Sequence, residues 1–448
     1  MPPTLEFFNG VQGLGVQILL RAGSSGLVFD LGTPFEPTEG PFNAHLQPRP
    51  GREIQDLLRV GWAPPIDGLF AGNPDLVAGG AGGDVSELAV FTSHHDLDHS
   101  ALLPFLHPHV PVYALPETVR SYRAGGWHHL TYRPVPSGES FTVGAMEVRV
   151  LETDHGPQGA AGFLATVGGV KIAYSGDWRW HGHRPDLIEA FIETCRAARV
   201  DALLVEANRA GGFYGGDPDT ELTAATLKAR VHEVLAHHGG LALFGFDPRD
   251  HRSLRKKQEA FLEHGRTLIV QPDTAELLRA YEVTTVPGAH HFEDRPLPVL
   301  DLGDSAVVDA LLAAPEAYVL EAGLPSMPVI AELLEQLEQR HGAQEAAIPH
   351  LHAGGAPLGP FEASWSTFEA WMQRLGITPV VLGINGHAPE RDLHRFIEAI
   401  DPGVAIPIHT RAPERAVPPG VRAHLPTRGE VLEVHAGGEV RILEHGAG

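Results

Sequence analysis

Ser93-His94-His95-Asp96-Leu97-Asp98-His99-Ser100 stands one residue beyond the apolar run Leu88-Ala89-Val90-Phe91. A strand that ends in a loop with three imidazoles and two carboxylates brings nitrogen and oxygen donors within reach of one point. A solvated polar loop would read the same in isolation. Ligand-type residues recur, however, at three later strand ends: His155 after Val148-Arg149-Val150-Leu151, Asp177 after Ile172-Ala173-Tyr174, and His409 after Ile406-Pro407-Ile408. Each alone is an ordinary loop residue, but in series they point to a metal centre.

Around these motifs the first part of the chain reads as strands joined by turns. Gly15–Leu20 and Gly26–Asp30 flank a Gly-Ser turn, and Thr142–Leu151 and Phe163–Tyr174 follow. Period-two apolar alternation and Gly-rich turns predict an antiparallel sheet. The loops Thr33 to Gly51 and Ala78 to Asp84 read as surface excursions. From about residue 201 short apolar runs alternate with helical periods. Strands are expected at Ala202–Val205, Leu241–Phe246, Thr267–Val270, Ala317–Leu320 and Ala346–Pro349, and helices around Leu222–Ala236, Leu254–His264, Val329–Arg340 and Trp365–Leu375. That alternation implies an α/β unit with a mostly parallel sheet. Leu393, Phe396, Ile397 and Ile400 form a helix stripe that leads into a strand at Val404–Ile408.

With 448 residues the chain exceeds the size at which one hydrophobic core usually keeps growing, so two domains are expected. No run of about eighteen uncharged apolar residues suggests a membrane span, and the N-terminus lacks the pattern of a signal peptide. The single cysteine, Cys195, cannot form an internal disulfide and reads as a small packed residue. A cytoplasmic protein without a membrane partner is the expectation. The net charge of −23 argues against a large basic surface, although a local excess of cations still leaves nucleic acid open. Histidine is the unusual count: 27, against 33 for lysine plus arginine. Imidazole is the commonest metal ligand.

The ordered series HHDLDH, DH, SGD, PIHT resembles the metallo-β-lactamase superfamily. The implied fold class is α/β, an αββα sandwich. By this resemblance Asp30, in Leu27-Val28-Phe29-Asp30-Leu31-Gly32, supports the ligand loop without binding metal. The resemblance implies two divalent ions, zinc first and manganese second. His94, His155 and a further loop residue would hold one ion; Asp98, His99 and His409 would hold the other; Asp177 would bridge them. The loop reads HxDxDH, so Asp96 stands where the family has a second histidine. Either Asp96 supplies an oxygen ligand or His95 swings in, and a harder donor set shifts preference from zinc towards manganese or iron.

Gly383-Ile384-Asn385-Gly386-His387-Ala388 and Pro407-Ile408-His409-Thr410 narrow the resemblance to the β-CASP nucleases, the RNase J and cleavage-factor group. Asp154-His155-Gly156-Pro157-Gln158-Gly159-Ala160, Ser175-Gly176-Asp177 and Leu203-Leu204-Val205-Glu206-Ala207-Asn208 agree with it. The group implies a metallo-β-lactamase core at residues 1–208 and 382–448, interrupted by an inserted α/β β-CASP-like domain at 209–381. It also implies that His387 acts at the scissile phosphate as hydrogen-bond donor or acid, with Glu206 as its orienting partner. Asp98 or Asp177 would orient the attacking water. The partner expected by resemblance is single-stranded RNA or DNA, RNA first; a homodimer stays open.

Other residues read more plainly. Arg249, Arg252, Arg255, Lys256, Lys257 and Arg266 form either an exposed helix face or a phosphate-binding patch. His181, His183, His237-His238 and His290-His291 carry no assigned role. Two alternatives remain beside the nuclease: a hydrolase of a small ester or lactone on the same metal core, and a catalytically degenerate nucleic-acid-binding scaffold, which the departure at Asp96 keeps open.

Overall fold

The computed structural model describes residues 2–34, 40–42, 46–71, 87–212, 221–289, 299–342 and 347–445. The loop Ala78 to Asp84, part of the Thr33 to Gly51 loop, and His290-His291 lie outside the described residues. The chain divides into two compact units. One comprises Met1–Pro218, Thr285–Ala289 and Gly386–Gly448; the other comprises Asp219–Thr284 and His290–Asn385. The second unit thus begins and ends later than the expected 209–381, and it leaves residues 285–289 to the first.

The first unit opens with β1 (Thr4–Asn9), β2 (Gln17–Ala22), β3 (Ser25–Phe29), β4 (Glu87–Phe91), β5 (Pro111–Ala114) and β6 (Thr131–Pro134). It continues through β7 (Ser140–Val143), β8 (Met146–Glu152), β9 (Ala161–Val167), β10 (Val170–Tyr174) and β11 (Ala202–Glu206). The second unit holds β12 (Ala242–Phe246), β13 (Thr267–Val270), β14 (Leu300–Asp301), β15 (Tyr318–Glu321), β16 (Ile348–Ala353) and β17 (Ile377–Val381). The chain re-enters the first unit with β18 (Val404–Ile408), β19 (Val431–Val434) and β20 (Val440–Glu444).

Two sheets make the first unit: β20-β19-β1-β2-β3-β4-β5-β6 and β18-β11-β10-β9-β8-β7. Alternate residues face each other across them. Leu5, Phe7, Ile18, Leu20, Leu27, Phe29, Ala89 and Phe91 meet Val148, Val150, Phe163, Ala165, Ile172 and Tyr174 in one core. Phe163 packs edge-on against both Phe29 and Phe91, each at 5.2 Å between centroids. The residues between them, such as Leu19, Val28 and Val90, turn to a second core on the outer face. The outer face of the other sheet is covered by the helices Pro185–Ala198 and Glu390–Ile400, through Ile188, Phe191, Leu393, Phe396 and Ile397. The result is the four-layer αββα sandwich expected for the fold class. Cys195 is fully buried there, where burial pushes its thiol up to about 12.

The structure corrects the strand reading in two ways. Thr142–Leu151 and Phe163–Tyr174 each contain a hairpin, β7-β8 and β9-β10, turning at Gly144 and at Gly168-Gly169 with positive φ. Two-residue turns of this kind are short enough for the apolar alternation to run through them. The antiparallel expectation holds for β1, β2 and β3 and for β7, β8, β9 and β10, but β3, β4, β5 and β6 pair in parallel. The second unit is a parallel sheet, β14-β13-β15-β12-β16-β17, with apolar cores on both faces. Its continuous apolar strands are what two covered faces require.

Glu6 sits in β1 between Leu19 and Val431 and exposes 8% of its surface. Burial, with Glu444 adding repulsion and Arg21 opposing, raises its carboxyl to about 7. Unfolded, Glu6 ionises near its ordinary value; folded, it keeps its proton up to about 7, so stability falls as pH rises between the two. Glu6→Gln is therefore expected to stabilise the protein by about 2 kcal/mol at pH 8, after discounting for residual solvent, and by nothing at pH 4.5. Unfolding midpoints across that range check this. An equal gain at both ends would contradict it.

Candidate metal centre

The cluster is assembled at the ends of β3, β4, β8, β10, β11 and β18. Asp30, just past β3, is fully buried with φ of 58°, a left-handed conformation uncommon for a residue with a side chain. It is held there by Asp30 N donating to Phe91 O at 2.9 Å. Its carboxylate accepts from Ser93 N (2.7 Å), Ser93 Oγ (2.7 Å), His99 Nδ1 (2.8 Å) and the Tyr174 hydroxyl. Asp30 is thereby the acceptor on which the ligand loop is hung. Gly32 is needed next to it, because a Cβ there would lie 1.6 Å from Asp98 O.

Three imidazoles show the same pattern, an outer oxygen on Nδ1 that leaves Nε2 to face the cluster. His99 Nδ1 donates to Asp30. His94 Nδ1 lies 2.9 Å from Ser93 Oγ, which itself donates to Asp30. His155 Nδ1 donates to Gly386 O at 2.6 Å. Gly386 allows that approach, since a Cβ would lie 2.6 Å from His155 Cε1. Outer partners of this kind fix the tautomer and orientation of metal-binding histidines.

Asp177, 2% exposed, is the hub. Its Oδ2 lies 3.3 Å from His99 Nε2, 3.7 Å from His94 Nε2, 3.9 Å from His155 Nε2 and 3.7 Å from His387 Nδ1, and its Oδ1 lies 3.7 Å from His409 Nδ1. Asp96 Oδ2 stands 3.4 Å from His94 Nε2 and 3.3 Å from His155 Nε2; Asp98 Oδ2 stands 3.0 Å from His409 Nε2. Donor atoms therefore gather within 4.8 Å of one another in overlapping groups: His94, Asp96 and His155; Asp98, His99 and His409; His94, His99 and Asp177; and Asp177, Glu206, His387 and His409. Every residue expected at the site comes to this one place. His95 does not swing in: its ring stacks on Tyr122 (5.0 Å) and Trp127 (5.6 Å), so the loop turns Asp96 towards His94 and His155 instead.

The electrostatics fit a cation. Burial and the nearby His99 lower His94. Burial opposes ionisation of Asp96, yet His155 and His94 hold its carboxyl well below the usual carboxylate range. Burial likewise opposes protonation of His155 and His99. Hydrogen bonding to Asp96 and the charge of Asp177 raise His155 to about 9, and Asp177, Asp30 and Asp98 raise His99 well above its ordinary value. Meanwhile His94 Nε2, His99 Nε2 and Asp177 Oδ1 are buried without a hydrogen-bond partner among the described residues. Buried polar atoms are rarely left so. A mixed imidazole and carboxylate set converging on them could hold divalent ions of the zinc or manganese type.

Beside the cluster, Glu206 Oε1 lies 3.3 Å from His387 Nδ1. Glu206 is buried and accepts also from Asn208 N (2.9 Å), while the His387 side chain is 20% exposed. Sequence reading missed three contributors: Ser93, the relay between His94 and Asp30; Asn208, whose amide lies against His387 and His409; and buried Arg179, 3.4 Å from Asp154 next to His155. Asn208 stood in a quoted motif two residues after Glu206, the only available signal.

The basic segment is mixed, with Lys256 exposed and other cations buried or paired. Lys257 is 2% exposed, bonded to Ser253 Oγ at 2.5 Å over the Phe244 ring. Arg266 is 4% exposed and donates to the carbonyls of Gly240 and His238. Arg249 pairs with Asp247, and Arg255 and Lys256 pair with Glu259. The segment is thus partly interior and partly neutralised by its own neighbours.

Comparison with known proteins places these observations. Residues 80–241 match the family described as Beta-lactamase superfamily domain, whose members are mostly metal-dependent hydrolases. A crystal structure of a protein of unknown function from Enterococcus faecalis V583 is similar over 97% of this chain and 100% of that one, with a TM-score of 0.74 and 24% identity. The metallo-beta-lactamase fold protein YhfI from Bacillus subtilis aligns over 46% of this chain and 71% of its own, with a TM-score of 0.30 and 18% identity. No curated protein matches. The fold is a metallo-β-lactamase α/β sandwich, and the buried His/Asp groups fit a metal site. Among the described residues no helix is long and apolar enough to cross a membrane.

Proposed function

We propose that this protein is a metal-dependent phosphodiester hydrolase acting on single-stranded nucleic acid, RNA first. The observation that carries the reading is the His387–Glu206 pair, 3.3 Å apart and set against Asp177 at the edge of the metal cluster. Divalent ions bound by His94, Asp96, His155, Asp98, His99, His409 and Asp177 would supply Lewis acidity and bring water towards ionisation near neutral pH. Asp98 or Asp177 would orient a water for attack on phosphorus. Glu206 fixes the His387 ring through Nδ1, and Nε2 hands a proton to the leaving oxygen, which departs as an alcohol. A poor alkoxide leaving group makes such a donor worthwhile. The resemblance of Asn385-Gly386-His387-Ala388 and Pro407-Ile408-His409-Thr410 to β-CASP motifs supports nucleic acid as the substrate class.

A second reading, hydrolysis of a small ester or lactone, is favoured by one observation: in the segment that offered a phosphate-binding patch as one of two readings, Lys257 and Arg266 are buried and Arg249, Arg255 and Lys256 are paired with carboxylates. The two are separated by incubating the protein, with zinc and then manganese, with 5′-labelled single-stranded RNA and DNA and with chromogenic esters and lactones. Cleavage of the strands is expected. Ester turnover with intact strands would replace the nuclease reading; binding of strands without any cleavage would point to a scaffold.

A further inference from the structure

β11 and β18 run in parallel with Glu206 opposite Ile408, and Asn208, two residues past the end of β11, brings its side chain to His409, the first residue past β18. His409 departs from the pattern of the other imidazoles. Its Nε2 faces Asp98 Oδ2 at 3.0 Å, on the cluster side, but among the described residues its Nδ1 meets no oxygen within hydrogen-bond range: Asp177 Oδ1 is 3.7 Å away, and the Asn208 amide nitrogen, as placed, is 3.5 Å away. That same nitrogen lies 3.3 Å from His387 Nε2, while the buried Asn208 Oδ1 has no hydrogen-bond partner among the described residues. The two ends of a carboxamide have the same shape, and only the hydrogen-bond network tells which end faces which group. An imidazole that gives Nε2 to a cation carries its hydrogen on Nδ1 and needs an acceptor there. A carboxamide nitrogen only donates; the oxygen accepts.

We infer that Asn208 is a positioning residue of the metal centre, with its side-chain oxygen turned to accept from His409 Nδ1–H. That contact fixes the tautomer that presents Nε2 to a divalent ion, as Asp30, Ser93 and Gly386 do for His99, His94 and His155. The same oxygen is the resting acceptor for Nε2–H of His387, until a leaving oxygen takes that proton. The inference rests on the cluster being a metal centre. It does not depend on the substrate.

The test titrates zinc into chelator-stripped full-length protein against a chromogenic competitor. Asn208→Ala and Asn208→Leu are expected to bind zinc roughly ten- to a hundredfold more weakly, the usual cost of losing an outer partner of a ligand histidine. Asn208→Asp, of the same shape but with acceptors only, should bind as tightly as the parent or tighter. Circular dichroism melts of the stripped proteins confirm that each variant is folded. Parental affinity in Asn208→Ala would overturn the inference, and so would an Asn208→Asp as weak as Asn208→Ala, since the nitrogen would then be the working end. A parent that takes up no zinc would instead sink the metal-centre reading, a result distinct from either.

Discussion

Asp177→Ala is expected to strip at least one equivalent of metal from the protein and to lower hydrolysis roughly a thousandfold or more. The size follows from its place. Among the described residues Asp177 is the one carboxylate within 3.9 Å of His94, His99, His155, His387 and His409, and it shares candidate donor groups with both sides of the cluster. Removing it takes away a ligand and the charge that offsets the imidazoles around it. A metal site depends on its full count and geometry of ligands, so the loss is shared across the whole cluster. A variant replacing Asp98 and His99 together with alanine should lose metal as well, but from the His409 side. Elemental analysis of the purified proteins decides it. Unchanged metal content in both would remove the assignment of the cluster.

The clustered His and Asp residues were legible because each lies at the end of a short apolar run, a signal contained in a few neighbouring residues. Even the departure at Asp96 was readable as two alternatives. Only packing chose between them, because the stack of His95 on Tyr122 and Trp127 joins residues some thirty positions apart. The outer partners were hidden for the same reason. Tyr174 reaches Asp30 across the sandwich, and Asn208 meets His409 only because β11 and β18 pair. β5 and β6 are four residues each, too short for a period to show. Lys257 is a different lesson. Leu254, Lys257, Gln258 and Phe261 are all buried on the helix His251–Glu263 and recur at i, i+3, i+4 and i+7. That stripe placed Lys257 inside, but counting cations along the segment concealed it.

His387→Ala is expected to lower single-strand cleavage by roughly a hundredfold or more while leaving bound metal unchanged, as when a transition-state donor is lost from an otherwise intact site. His387 stands outside the two ligand triads that hold Asp96 and Asp98, and its closest carboxylate is Glu206, not Asp177. Under the proposed function Glu206 would act through His387: its carboxylate faces His387 Nδ1 and accepts from Trp178 N and Asn208 N. Glu206→Gln should therefore cost less than His387→Ala, and the two together should cost little more than His387→Ala alone, since residues that work as a unit are not additive. Full additivity would separate them into independent roles. If His387→Ala lost metal in step with activity, the residue would be a ligand, and the proton would have to come from elsewhere.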